Sequence, residues 1–285
     1  MWLAREFGGE IVNADSMQVY KLFDIGSAKP DTNARKEICH HLIDIVEPEE
    51  EFNGALFKEA ADRAIHDIRS RKKIPIVVGG TGLYVRMLLH GLFAVTGDTP
   101  MREGLKSRYQ KERSRVYEEL RQVDPAYASK ISCNDRTRVV RALEVYYISG
   151  MTMSEWQKRH GFREQRYDAC KVGLTRERDE LYDRINRRVD SMLQAGWVEE
   201  VEKLLAMGYS GGLKPFSSIG YRDILLYLSG TLGYAEMVTR IKQETRHYAK
   251  RQTTWFYREK EITWFKYPEE RGRIIEEVRQ FLRQN

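Results

Sequence analysis

Short apolar runs bounded by turn residues recur through the first third of the chain. Glu10–Ala14 (EIVNA) reads as a strand ending at Asp15, Leu42–Val46 (LIDIV) as a second, and Ile74–Val78 (IPIVV) as a third closed by Gly79-Gly80. Between the last two, Phe52, Leu56, Ala60, Ala64 and Ile68 recur every four residues, which predicts a helix with one buried stripe and Asn53 at its N-cap. Strands separated by a helix of that length pair in parallel through right-handed crossovers. The expectation is an open α/β sheet, with ligands beyond the carboxyl ends of its strands.

From Pro100 onward the pattern changes to helical periodicity. Lys106–Gln122, Asp135–Ser149, Arg178–Leu205, Arg222–Ser229 and Ala235–Tyr257 read as helices, with Cys170–Leu174 as a remaining strand. Val139, Leu143 and Tyr146 form one apolar face, and Arg138 and Arg141 lie together on another. Gly208–Gly212 reads as an exposed loop, and Gly161–Tyr167 as the return from an inserted helical unit. Three segments follow: 1–98 as the first part of an α/β core, 99–168 as an inserted helical domain, and 169–285 as the completion of the core with basic C-terminal helices.

Composition adds little about the fold and something about partners. Of 285 residues, 41% are hydrophobic and 32% charged, a globular mix. The three cysteines are Cys39, Cys133 and Cys170, too few and too scattered for a disulfide framework. The longest apolar runs fall far short of the roughly 20 residues that span a bilayer, and the start has no signal-peptide order. A cytoplasmic monomer without membrane association is expected. The net charge of +6 is uneven: residues 1–98 carry 12 basic and 15 acidic side chains, the remainder 36 and 27. A basic second part points to a polyanion, nucleic acid first.

Three segments offer chemistry. Asp15 stands at a strand's carboxyl end, where it could accept a proton, hold hydrated magnesium, or simply cap the next turn. Gly79-Gly80-Thr81-Gly82 turns a strand into a helix whose free amides and Thr81 hydroxyl suit a phosphate, although such a turn can be purely structural. In Arg246–Glu259, His247, Arg251, Thr254 and Arg258 share a basic face, with Tyr248, Trp255 and Phe256 around it for packing or base stacking. Arg136, Arg138 and Arg141 form a similar cluster. Adjacent residues on a strand point to opposite faces, so His40-His41 is not a metal pair, and no metal site is expected.

In order along the chain, GEIVNADSMQVY with DIGSAKP, HHLIDI, VVGGTGLY, NDRTRVVRALEV, the LYDRINRRVD-to-GWVEEV run, SIGYRDI and TRHYAKRQTTWF resemble the bacterial tRNA dimethylallyltransferases from Gly9 to Phe256. The resemblance implies a P-loop-type α/β core with an inserted helical domain that grips the tRNA anticodon stem-loop. It implies transfer of a dimethylallyl group from dimethylallyl diphosphate, with Mg2+ bound alongside the diphosphate. The acceptor is the exocyclic amine of the adenine 3′ of the anticodon. Asp15 would be the general base or orienting acceptor, with Thr81 and Arg102 beside it in catalysis. Gly80, Thr81, Arg102 and Arg178 would hold the diphosphate.

Contacts to tRNA would come from Asp15, Ser16, Met17 and Gln18, and from Thr137, Arg138, Val139, Val140 and Arg141. A third group is Ser217, Ser218, Ile219, Gly220, Tyr221 and Arg222. The last is Lys250, Arg251, Gln252, Thr253, Thr254, Trp255, Phe256 and Tyr257. Family members also carry a first strand, a Walker A loop ending Gly-Lys-Ser/Thr and most of a helix ahead of the segment matching GGEIVNADS, whereas Met1–Phe7 matches only that helix's tail. Without them, weak or no activity and two unpaired inner sheet edges are expected. The rival readings are an adenylate isopentenyltransferase using a free nucleotide and a noncatalytic RNA-binding relic.

Overall fold

The structure, a computed structural model, describes residues 1–92, 95, 97–162, 164–259 and 261–284. The chain folds as two compact units, Met1–Leu88 with Tyr167–Asn285, and Leu89–Arg166. The second begins about ten residues earlier than composition suggested, because its two ends are tied: Arg166 N donates to Leu89 O, and His90 Nδ1 lies 3.0 Å from Glu164 O. The return segment Gly161–Tyr167 includes residue 163, outside the described residues.

In the first unit, α1 (Trp2–Phe7) ends on Gly8 in the left-handed region and leads into β1 (Glu10–Asn13), which is buried at every position. The chain continues through α2 (Thr32–Glu37), β2 (His40–His41), α3 (Gly54–Ser70), β3 (Pro75–Val78) and α4 (Gly82–His90). β1 lies centrally, parallel to both β2 and β3.

The expected strand at Leu42–Val46 is instead a looped segment. Leu42 and Asp44 adopt positive φ angles of 65° and 56°, and only the pair His40–His41 joins the ladder. Asp44 is held in that conformation by Lys29 at 2.5 Å and Arg35 at 2.6 Å. Asn53 caps α3 by accepting from Ala55 N and Leu56 N, as its position implied. The buried stripe, however, is Phe57, Ala61, Ala64, Ile65 and Ile68, while Leu56 is exposed. A strict four-residue spacing drifts about 40° per step around a helix, so it leaves the core face within a few turns.

The second unit is helical: α5 (Thr99–Lys111), α6 (Arg113–Val123), α7 (Pro125–Ala128), α8 (Arg136–Ser149) and α9 (Met153–His160). Leu105, Tyr109, Val116, Leu120, Val139 and Leu143 form its core. The single helix expected over Lys106–Gln122 breaks at Glu112, whose φ and ψ of −134° and 48° are not helical. Its apolar positions stay in phase across the break, so periodicity carried no sign of it.

The chain then returns to the first unit through β4 (Val172–Thr175), α10 (Arg178–Gln194), α11 (Trp197–Ala206), α12 (Tyr221–Leu228), α13 (Tyr234–Phe256), β5 (Thr263–Lys266) and α14 (Arg271–Gln284). The helix expected over Arg178–Leu205 is divided at Gly196, with φ 96°. β4 and β5 form a second parallel ladder. The single open sheet of the sequence reading is therefore two ladders, and β3 and β4 each pair on one side only among the described residues. Val77, Val78 and Leu174 on these strands are exposed. The core of the unit runs from Val12, Val19 and Phe23 through Phe57, Tyr84 and Leu88 to Trp197, Tyr221, Ile224 and Met237.

Candidate functional site

β1 runs out at Asn13, and the chain turns at Asp15. One carboxylate oxygen, Oδ1, accepts from Met17 N at 2.7 Å and Gln18 N at 3.2 Å. That is the turn-capping role, and it uses half of the carboxylate. The other oxygen, Oδ2, has no hydrogen-bond partner among the described residues. Capping therefore orients Asp15 without consuming it. The Gln18 amide donates to Ser27 O and Ala28 O, tying the turn to the next loop.

Beside this turn lies the end of β3. Ala14 N donates to Val78 O, Thr81 N to Ala14 O, and Ser16 N to the Thr81 hydroxyl at 3.1 Å. The glycines here make room for protein atoms. A Cβ on Gly79 would meet Ala14 O at 2.3 Å, one on Gly80 would meet Gln252 Nε2 at 2.0 Å, and one on Gly82 would meet Trp255 Nε1 at 2.1 Å. The Gln252 amide also donates to Gly80 O at 3.1 Å. Their absent side chains thus let α13 dock on this loop, and of the loop's side chains Thr81 is the one with a hydroxyl to offer a ligand.

Two phenols complete the surroundings. Tyr84, stacked on Phe57 at 4.3 Å, has its hydroxyl pKa pushed well above the ordinary value by burial, then by Tyr20 and the Asp15 charge. Tyr248 on α13 is shifted upward for the same first reason, with Asp15 again contributing. Sequence reasoning assigned Tyr84 no part here; its place in VVGGTGLY, one helical turn after Thr81, was the available sign.

The loop beyond is clamped from α11. Glu200 accepts from Asp24 N and Ile25 N at 2.9 and 2.8 Å with one oxygen, and from the Tyr221 hydroxyl at 2.6 Å with the other. Trp197 fills the space over Gly26 and Gly220.

Arg178 begins α10, exposed, with its guanidinium 5.2 Å from the Tyr182 ring; Arg246 approaches the same ring at 5.9 Å. Of the α13 residues named from sequence, Lys250, Arg251, Thr254 and Tyr257 are exposed, whereas Trp255 lies against Gly82 under Arg86, and Gln252 and Thr253 are bonded to backbone. Phe256 is half-buried. In the Ser217–Arg222 stretch, Gly220 and Tyr221 are buried, Ser218 and Ile219 half-buried, and Ser217 and Arg222 exposed. The buried members position their neighbours and cannot themselves touch a partner.

In the second unit, Arg102 gives Nε at 3.1 Å and Nη2 at 3.0 Å to Glu144, and Arg141 gives Nη1 to it at 2.7 Å. Burial alone would raise the Glu144 pKa, but the two guanidiniums outweigh it and hold the carboxyl below its ordinary value. Val139 and Val140 are core residues, so Thr137, Arg138 and Arg141 are the members of that stretch with side chains to offer. Glu144 was missed from sequence, although a carboxylate inside VVRALEV is itself a signal, because a charge in an apolar run needs buried partners.

Among the described residues, one group has a metal-like donor set: Glu10, Cys39 and His41. Arg71 and Lys73 already bond the Glu10 carboxylate, which makes that group an ion-pair cluster. His40 and His41 do go to different partners, Ile38 O and Glu10. No helix among the described residues is long and apolar enough to cross a membrane.

The sequence model of the IPP transferase family matches residues 18–260. The chain is 47% identical over 283 residues to the tRNA dimethylallyltransferase 2 of Geotalea daltonii, covering 98% of this chain and 86% of the relative. Among solved structures it resembles the full-length tRNA isopentenylpyrophosphate transferase of Bacillus halodurans (TM-score 0.73, 35% identity, 99% of this chain and 91% of that one). It also resembles a eukaryotic dimethylallyltransferase acting on tRNA (TM-score 0.75, 31% identity, 93% and 69%).

Proposed function

The chain belongs to the IPP transferase family, and from that premise we propose that it is a tRNA dimethylallyltransferase, moving a dimethylallyl group from dimethylallyl diphosphate to the exocyclic amine of the adenine 3′ of the anticodon. The observation that carries the reading is Asp15: one oxygen is pinned by two backbone amides, the other has no hydrogen-bond partner among the described residues, and the next residue, Ser16, donates its amide to the Thr81 hydroxyl.

In the reaction the allylic C–O bond breaks and the diphosphate leaves with the electron pair. The amine nitrogen forms the new C–N bond and releases a proton. An amine conjugated to an aromatic ring is a poor nucleophile, so a fixed carboxylate that orients it and takes that proton lowers the barrier. We assign that role to Asp15 Oδ2, and to the Thr81 hydroxyl, which accepts from Ser16 N, a donor role with its remaining O–H. Arg102 and Arg178 are assigned to the diphosphate, whose developing charge cations and backbone amides stabilise. Gly80 contributes main chain there. Magnesium, if bound with the diphosphate, would neutralise part of that charge. Asp15 has one carboxylate oxygen without a partner among the described residues, which could serve either the metal or the amine, and we assign it to the amine.

The acceptor adenine must leave its stack to reach a carboxylate set in a turn. The exposed Lys250, Arg251, Thr254 and Arg222, with Ser16–Gln18 and with Thr137, Arg138 and Arg141, are assigned to the anticodon stem-loop. The test is transfer of label from dimethylallyl diphosphate, with magnesium, to unmodified tRNA and separately to free adenine nucleotide. Labelled tRNA supports the proposal. Labelled nucleotide alone would make the chain an adenylate isopentenyltransferase, and salt-sensitive tRNA binding without label would make it an RNA-binding protein.

A further inference from the structure

The second unit carries a cleft of its own, at the point where one expected helix breaks into two. α5 ends at Lys111, Glu112 turns out of helical geometry, and α6 begins at Arg113. These residues and Arg136, the first residue of α8, line a cleft of about 620 Å³. Tyr109 is its buried part, and the Tyr109 hydroxyl donates to Cys133 O, so that group is already used by the fold.

Charge sets this cleft apart from the surface around it. Most cations of the unit have an acidic partner: Arg108 pairs with Glu119 at 2.6 Å, Arg121 with Glu118 at 2.9 Å and Arg138 with Asp135 at 3.3 Å. Lys111, Arg113 and Arg136 are exposed, have no acidic partner among the described residues, and face the same cleft. The one carboxylate lining it, Glu112, is taken by a fourth cation, Arg115, at 3.1 Å. Burial raises the pKa of the Tyr109 hydroxyl, and the charges of Arg113 and Arg136 both pull against that rise, so both act at one point. Like charges gathered in this way repel one another, which does nothing for folding and suits a polyanion. The lining also indicates which part of a nucleic acid fits. Its one aromatic residue, Tyr109, is buried, so no ring is offered to a base, whereas guanidinium and ammonium groups match phosphate oxygens.

We propose that this cleft holds backbone phosphates of the RNA substrate through Lys111, Arg113 and Arg136, without reading its bases. The proposal rests on the reading of the chain as a tRNA-modifying enzyme. It adds a hold that is independent of sequence and uses none of the residues assigned to the anticodon stem-loop above.

The experiment titrates the full chain with unmodified tRNA from about 0.1 to 1 M salt. Arg113→Ala and Arg136→Ala are each expected to reduce the slope of log Kd against log salt by about 0.7–0.9, so that affinity falls about 5- to 8-fold at 0.1 M salt and little near 1 M. The loss should be the same for tRNAs of different stem sequence, with KM for dimethylallyl diphosphate within about twofold. Arg113→Lys and Arg136→Lys keep the charge and should keep the slope. Lys130→Ala and Lys158→Ala remove cations that do not line the cleft and should leave the slope unchanged. Near-UV dichroism should be unaltered throughout, because the substituted side chains are exposed. An unchanged slope when Arg113→Ala and Arg136→Ala are combined would overturn the proposal, and an equal drop in Lys130→Ala would reduce it to general surface charge. Loss of affinity for inorganic tripolyphosphate with the tRNA slope intact would make the cleft a small-anion site instead. A parent chain that binds tRNA but transfers no label removes the proposed reaction while the slopes still decide on the cleft; one that binds no tRNA removes both.

Discussion

Glu200 predicts the response of the site's scaffold most directly. Removing its carboxylate by Glu200→Ala strands the amides of Asp24 and Ile25 and the hydroxyl of the buried Tyr221. A hydrogen bond to a charged acceptor contributes about 1.5–3 kcal/mol net. The Asp24 contact is exposed to water and Glu200 is only half-buried, so the sum is discounted to about 2–4 kcal/mol. For a chain of this size that is a melting point lower by about 5–10 °C. Tyr221→Phe removes one of the contacts while preserving the ring among Phe23, Phe216 and Trp197, and should cost about 1–2 kcal/mol. The double mutant Glu200→Ala with Tyr221→Phe should cost less than the sum, since the two groups share a bond. Because Gln18 binds the same loop at Ser27 O and Ala28 O, Glu200→Ala should also slow transfer at temperatures where the protein remains folded. The assays are thermal melts by circular dichroism and label transfer to tRNA. A melting point within about 2 °C of the parent, with normal transfer, would refute the clamp.

Asp15→Asn keeps an acceptor for Met17 N and Gln18 N but cannot take a proton; transfer should fall about 100-fold or more with tRNA affinity retained, and a loss below threefold would move the base elsewhere. Gly82→Ala drives a methyl into Trp255 and should cost about 1–3 kcal/mol in urea melts, whereas Gly104→Ala, in open space on α5, should stabilise by about 0.4–1 kcal/mol; the reverse order would contradict the packing of α13 on the loop. In acid, Glu10, lowered first by its hydrogen bond to Arg71, and Glu144 both hold fewer protons folded than unfolded. Their contribution is present above the ordinary Glu pKa of about 4.3 and is lost as pH falls through the depressed folded values, so urea midpoints should drop between pH 5 and pH 3. Tyr84 and Tyr221, raised chiefly by burial, act oppositely: stability holds below about pH 10 and is lost as pH rises toward their folded values. Midpoints flat across either range would contradict the shifts. Lys250→Ala and Arg251→Ala should each lower the salt dependence of tRNA binding by about one unit of slope, and an unchanged slope would place the RNA elsewhere.

The chain's local grammar was legible. β1, β3 and the cap of α3 at Asn53 follow from apolar runs and short polar side chains, which act over a few residues. Asp15 and Thr81 were legible as candidates because residue type and motif set their chemistry, whereas Arg102 was named from the family resemblance alone. What they touch was not. The break at Glu112 has no glycine or proline to mark it, and the segment after His41 leaves its ladder because Lys29 and Arg35 hold Asp44 from elsewhere.

Pattern along the chain thus determined which segments could be strands and helices, and which residues could move a proton or meet a phosphate. Only the tertiary structure decided how those capacities were spent. Gly79, Gly80 and Gly82 admit Ala14, Gln252 and Trp255, Val139 and Val140 go to the core, and Glu144 holds Arg102. The reason is physical: backbone preference and hydrophobic periodicity are short-range, whereas close packing and the pairing of buried charges depend on residues brought together from distant parts of the chain.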